Sequence, residues 1–324
     1  MDAHTYDRWL HVLTVYDELP HQARGEEQWR ESWYLNFFDH EQDLYGIAWM
    51  GIRPNSGHGE VLFAVGQGPR FLTLHQDFEI PIPQDIGRER AAFGSLAFTV
   101  NEPYRNWRIQ FSEGSTTADL EWTAIAPVYN WEWQETARSW HYQHPGRVTG
   151  RIAIGDLTFE IDGVGERDRA WGKRDNRYFD AVHWTTAQFA NGLHFESMAV
   201  ALGADRHLYG FAQADDQASL LAALTVEPRY AYPGGPPASA EITARDQLGR
   251  DFRVHQEILN VIPITSAIGG AETRMYFTFN RYECDGVPGM GMTDHWWSEF
   301  DSLKESYVCE GPNRGRLFAL DEYG

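Results

Sequence analysis

The chain is poor in cysteine, in positive charge and in long apolar runs, and each shortage excludes a class of protein. Among 324 residues only Cys284 and Cys309 are sulfhydryls. Two cysteines cannot build a disulfide framework or a cysteine-rich zinc site, although a single bridge between them is not ruled out. Lysine and arginine number 27 against 47 acidic residues, a formal charge of -20. A chain so charged repels phosphate backbones, its basic residues form no stripe, and nucleic acid is not an expected partner. No stretch of about 18 uninterrupted apolar residues is present, so no membrane span is expected. The opening MDAHTYDRWLHVLTVYDELP lacks a basic segment followed by an apolar one, so secretion is not expected and the cytoplasm is the default.

What is present is aromatic and strand-like. Hydrophobic residues make up 42% and aromatics 14% of the chain, enough to bury a large core, and the length favours about two domains. Helical periodicity is confined to short pieces, mainly Thr5 to Glu18 with Trp9, Leu10, Leu13 and Tyr16 on one face. Leu44 to Ile52, Glu60 to Val65, Leu96 to Asn101, Trp107 to Ser112, Ala118 to Pro127 and Arg253 to Val261 read as strands separated by Gly, Pro, Asn and Asp clusters. The expectation is an all-β protein of two antiparallel barrel or sandwich domains with a short N-terminal helix. The loop at Tyr230 to Ala238 is too rich in Pro and Gly for a sheet interior. A faint echo links Trp33, Phe37, Phe38 and the run at 44–52 with Trp184, Gln188, Phe189 and the run at 195–202, as if each half opened with the same hairpin. The halves then divide as residues 1–176 and 177–324.

The densest chemistry lies between Gly146 and Gly192. Strands at Arg147 to Ile154 and Leu157 to Asp162 lead into a turn-like cluster of Glu166, Arg167, Asp168, Arg169, Trp171, Lys173, Arg174 and Asp175. A strand at Ala181 to Phe189 follows, closed by an Asn191-Gly192 turn. Asp168 is the first candidate for catalysis: buried against Trp171, its carboxyl would be held protonated and able to donate to a double bond. Paired instead with Arg174 or Arg167, it is an ionised structural joint. Asp175, His141 and His183 are further acid or base candidates, each equally readable as a satisfied structural residue. His141 and His144 face opposite sides of a strand, whereas His183 and His194 fall on two strands of a hairpin where they would be cross-strand neighbours. No carboxylate or third histidine stands at a convincing ligand spacing, so a metal-free site is expected. In a strand from Tyr129 to Trp133, Tyr129, Trp131 and Trp133 share a face. With Trp33, Tyr142, Trp171, Arg174, Trp184 and Gln188 they form the candidate substrate wall, or simply core. Nucleophile elbows, phosphate loops, dinucleotide fingerprints and zincin motifs are absent, leaving chemistry without a cofactor.

The pairing of Asp168, Trp171 and Gly172 with Trp184, Gln188, Phe189 and Gly192 resembles the lipocalin-like two-domain superfamily. That superfamily contains the carotenoid 1,2-hydratases (hydroxyneurosporene synthases), the AttH-like proteins and the fungal lipocalin-like Diels-Alderases. A bacterial branch carries related forms of the segments at 31–37, 53–55, 141–150 and 167–176. The chain departs from that branch at Arg169 and Ala170, where His and Ser are usual, and at Asn176 in place of Trp. The resemblance implies a pair of lipocalin-like barrels with a ligand cavity in or between them; one scaffold hosting several reactions says less about chemistry. Three functions stay open: a cofactor-independent lyase or hydratase acting on a hydrophobic isoprenoid, steroid or aryl compound, a carrier of such a ligand, and a cyclase or pericyclase working by orientation. A homodimer is compatible with all three. Asp294, His295, Trp296 and Trp297 are the one stretch of the C-terminal third with chemistry to offer.

Overall fold

The computed structural model describes residues 13–23, 28–82, 90–131, 139–173, 180–232, 235–268, 271–297 and 306–320. Apart from a single 3-10 turn at Val15–Glu18, the described residues form strands and their connections. Most of the expected N-terminal helix lies outside them.

The first sheet opens with β1 (Trp29–Asp39), β2 (Leu44–Arg53), β3 (His58–Gln67) and β4 (Arg70–Pro81). It continues through β5 (Arg90–Phe93), β6 (Leu96–Glu102), β7 (Asn106–Glu113), β8 (Thr116–Ala124), β9 (Val128–Trp131), β10 (Ser139–Ile154) and β11 (Leu157–Lys173). Its antiparallel order is β4-β3-β2-β1-β11-β10-β8-β7-β6-β5, with β9 on one end of β10. The sheet curls into a half-barrel that does not close. The second sheet contains β12 (Ala181–Phe189), β13 (His194–Leu202), β14 (Asp205–Ala214), β15 (Gln217–Tyr230), β16 (Pro237–Asp246), β17 (Asp251–Ile268), β18 (Ala271–Cys284) and β19 (Val287–Trp297). Pairing of β14 with β15 closes these eight strands into a barrel. β20 (Tyr307–Glu310) joins β15, while β21 (Gly315–Phe318) crosses back to pair with β9 of the first sheet. The division expected at Asn176 lies outside the described residues. No described helix is long and apolar enough to cross a membrane.

Two hydrophobic patterns explain how the sheets meet. In β7 and β8, Trp107, Ile109, Phe111, Ala118, Leu120 and Trp122 are buried while the intervening residues face water, the alternation of a sheet wetted on one side. β1, β2, β12 and β13 are instead buried almost throughout. Each has one face in its own sheet's core and the other against the opposite sheet. The half-barrel core gathers around Trp33, Phe63, Trp107 and Trp122, and the barrel core around Phe195, Leu221 and Val254. A third core between the sheets joins Tyr34, Trp49, Trp131 and Leu62 to Trp184, Met198, Phe277 and Met292.

The dense charged segment is strand, not turn. β11 continues to Lys173, and residues 165–172 are wholly buried between β1 and β10. Gly165 allows that packing, because a Cβ there would collide with the backbone oxygen of Asn36. The Asn191-Gly192 turn forms as expected: Gly192 is left-handed (φ 83°) and Asn191 Oδ1 accepts from the Leu193 amide at 3.1 Å.

Candidate functional site

Because β11 alternates, its charged residues separate onto two faces. Arg167, Arg169 and Trp171 point to the half-barrel side; Glu166 and Asp168 point to the interface with the barrel. Asp168 is therefore not buried against Trp171, nor is Arg167 its partner. Arg167 donates to Glu18 at 2.6 Å and stacks over Trp107 at 4.1 Å. Tyr142 donates to the same Glu18 oxygen at 2.6 Å, and Trp107 donates to the other. Arg169 donates to Glu31 at 2.5 Å and covers Trp33 at 4.0 Å. His21 stacks on Trp171 with centroids 4.4 Å apart. Burial alone would lower the His21 pKa, but hydrogen bonds with Asp17 and Glu31 lift it above its ordinary value. Arg167, Tyr142 and Trp171, with Arg169 donating to the Leu19 carbonyl at 2.8 Å, thus clasp the 13–23 segment to the half-barrel. The joint is ionic, but between the chain's own leading segment and the first sheet.

The interface face is different. His141 Nε2 lies 3.3 Å from Asp168 Oδ2, both side chains nearly inaccessible. The imidazole lies against Trp131 with centroids 3.7 Å apart, and Trp184 meets Trp131 edge-on at 5.7 Å. Across the interface, burial and then the charge of Asp168 push the Asp294 carboxyl well above its ordinary range. Tyr34 is pushed well up by burial and by Asp294, and it donates to Met292 Sδ at 3.1 Å. Asn36 Nδ2 donates to Thr186 Oγ1 at 3.1 Å, tying the two sheets together beside these groups.

A second acidic group lies farther along the same face. Glu166 faces Glu196 and His194, neighbours two apart on β13. Burial and then the adjacent Glu196 push Glu166 well up; burial takes Glu196 to about 8. A cleft of about 400 Å³ lined by His194, Gln188, Gln213, Phe189 and His40 opens here. Gln188 Nε2 donates to the Gly165 carbonyl at 3.1 Å.

The remaining sequence candidates fall elsewhere. Tyr129 belongs to the interface core, accepting from Gly210 N at 2.7 Å and donating to Asn313 at 2.9 Å. Its partner residue Trp133, together with Arg174 and Asp175, lies outside the described residues. His183 is not a cross-strand neighbour of His194, because the β12–β13 register sets His183 opposite Ala199 and Gln188 opposite His194. It lies inside the barrel, 4.5 Å from the ring of His295, with its pKa lowered by burial to about 3. Sequence spacing alone points to no ligand set around His194, whereas the meeting of β11 with β13 across the interface supplies Glu166 beside Glu196. Glu196 carried one usable signal, a charge at an interior position of the apolar strand HFESMAVAL.

Two curled antiparallel sheets packed face to face, with carboxyls and imidazoles buried in their shared core, make a fold that this chain shares with several solved structures. The chain belongs to the family described as Domain of unknown function (DUF7064), whose model matches residues 14–299. An AttH-like protein from Nitrosomonas europaea has the same fold, with a TM-score of 0.65 at 13% identity over 89% of this chain and 96% of that one. CghA crystallised with Sch210972 gives 0.64 at 10% identity over 85% and 89%. Kievitone hydratase from Nectria haematococca gives 0.57 at 12% identity over 90% and 97%. No curated protein matches the sequence.

Proposed function

We propose that the chain is an acid-base enzyme of the hydratase or dehydratase kind, a cofactor-independent lyase acting in the cytoplasm on a hydrophobic isoprenoid, steroid or aryl compound. The carrying observation is the buried Asp168–His141 pair facing a raised Asp294 carboxyl across an aromatic interface. A carboxyl raised by burial and by a neighbouring charge, as Asp294 is, suits the role of acid, and an imidazole beside a carboxylate, as His141 is, suits that of base. Asp294, held neutral, donates its proton to an alkene carbon. The faces of Trp131 and Trp184 stabilise the cation that develops. His141, oriented by Asp168, accepts the proton of the attacking water. In the reverse direction the same groups eliminate water. Kievitone hydratase supports this reading by sharing the fold.

A second reading is orientation alone, as in a pericyclase, and the likeness to CghA, a Diels-Alderase, favours it. The two separate in one experiment. Purified protein is offered alkenes, terpenols, steroids and aryl compounds with no cofactor added, beside Asp294→Asn, Asp168→Asn and His141→Ala variants. Acid-base chemistry predicts loss of about 100-fold or more in each folded variant; retention of turnover in all three supports orientation. Ligands that bind and return unchanged identify a carrier.

A further inference from the structure

We propose that Glu166, His194 and Glu196 form a binding site for one divalent first-row transition ion, reached through the cleft that His194 lines. The site is distinct from the Asp168–His141–Asp294 group and does not depend on the acid-base reading.

His194 and Glu196, two apart on β13, project from the same face of that strand. Glu166 meets them from β11 of the other sheet. One ligand atom from each residue lies within 4.8 Å of the other two, and His194 Nε2 is 3.5 Å from Glu166 Oε2. Ligands about 2.1 Å from a tetrahedral ion are separated by about 3.4 Å, so modest closure of the remaining distances completes the set. Glu166 and Glu196 are 0% exposed and His194 is 3% exposed. Among the described residues no lysine or arginine forms an ion pair with either carboxylate. Neutral donors lie beside the carboxyls, Gln143 at both and Trp131 at Glu196, while neither ring nitrogen of His194 makes a hydrogen bond. Buried polar atoms are almost always satisfied, and two adjacent buried carboxyls with no described lysine or arginine beside them, faced by the His194 imidazole, are arranged to take a cation. One nitrogen and two carboxylate oxygens suit Zn²⁺, Mn²⁺, Fe²⁺ or Co²⁺ better than Ca²⁺, which takes more oxygens. Three protein ligands leave a coordination position for water or a ligand oxygen.

The test uses untagged, chelator-stripped protein dialysed against micromolar Zn²⁺ or Mn²⁺, with bound metal quantified by elemental analysis. One equivalent is expected, with affinity reduced at least about tenfold in His194→Ala and Glu196→Gln. The Co²⁺ form of the unaltered protein should show visible d–d absorption, a readout that needs no variant to fold. Failure of the unaltered protein to retain any ion, or variants that keep the native circular dichroism and bind as tightly as the parent, overturns the site.

Discussion

Replacing Glu18 by glutamine removes the one anion that, among the described residues, Arg167 touches, while preserving the shape of the side chain. Arg167 is completely buried and, among the described residues, Glu18 is its one ion-pair partner, at 2.6 Å. Its Nη1 also donates to the neutral Tyr142 hydroxyl at 3.2 Å, and around it lie ring faces: Trp107 at 4.1 Å, Trp122 at 4.9 Å, Tyr142 at 5.1 Å and Tyr104 at 5.8 Å. Four aromatic faces contribute cation–π attraction, but they do not replace an anion, and a guanidinium cannot shed its proton. Leaving one member of a buried pair uncompensated costs about 3–5 kcal/mol. Urea denaturation followed by tryptophan fluorescence reads this directly, since Trp107 and Trp122 flank the group. The double variant Glu18→Gln with Arg167→Met, which removes the charge as well as its partner, should recover much of the loss, so that the two single costs do not add. A Glu18→Gln loss below about 1 kcal/mol, or strict additivity in the double variant, refutes the clasp.

Other predictions concern the two cores. Stability should fall in acid because His183 is neutral when folded: its pKa drops from 6.5 to about 3 on burial. The contribution is whole above the unfolded value and is lost as pH falls toward the folded one, at about 1.4 kcal/mol per pH unit per histidine. His295, lowered by burial and by His183, acts in the same direction, and urea midpoints between pH 7 and pH 4 should show a shallower slope in His183→Asn. Asp294 has the opposite sign: raised above 3.8, it stabilises below that value and loses the contribution as pH rises through its folded pKa. Asp294→Asn should therefore flatten the alkaline limb of the same curve. Gly165→Ala should cost about 1–3 kcal/mol by overpacking, since its Cβ meets the Asn36 carbonyl. It should also displace Gln188 from the Gly165 oxygen, visible as a change in ligand affinity at the cleft.

The strand periods alone determined the all-β class and much of the strand layout. Runs such as Trp107 to Ser112 alternate because one face is wet, a local property of the chain. The Asn191-Gly192 hairpin was equally legible, since a left-handed glycine is a local requirement. What strand patterns could not decide is which charges meet. Arg167 and Asp168 are adjacent in sequence yet face different cores, one toward Glu18 and the other toward His141. So dense a run of charge reads locally as a turn, because buried strands carry so much charge only when partners from distant strands compensate it. Hairpin proximity brings His183 and His194 close in sequence, but the register puts Gln188 opposite His194 and Ala199 opposite His183. Glu166 and Glu196 meet only because β11 of the half-barrel packs on β13 of the barrel. Composition and periodicity report the solvent a residue faces; contact across two sheets depends on register and packing, which only the tertiary structure decides.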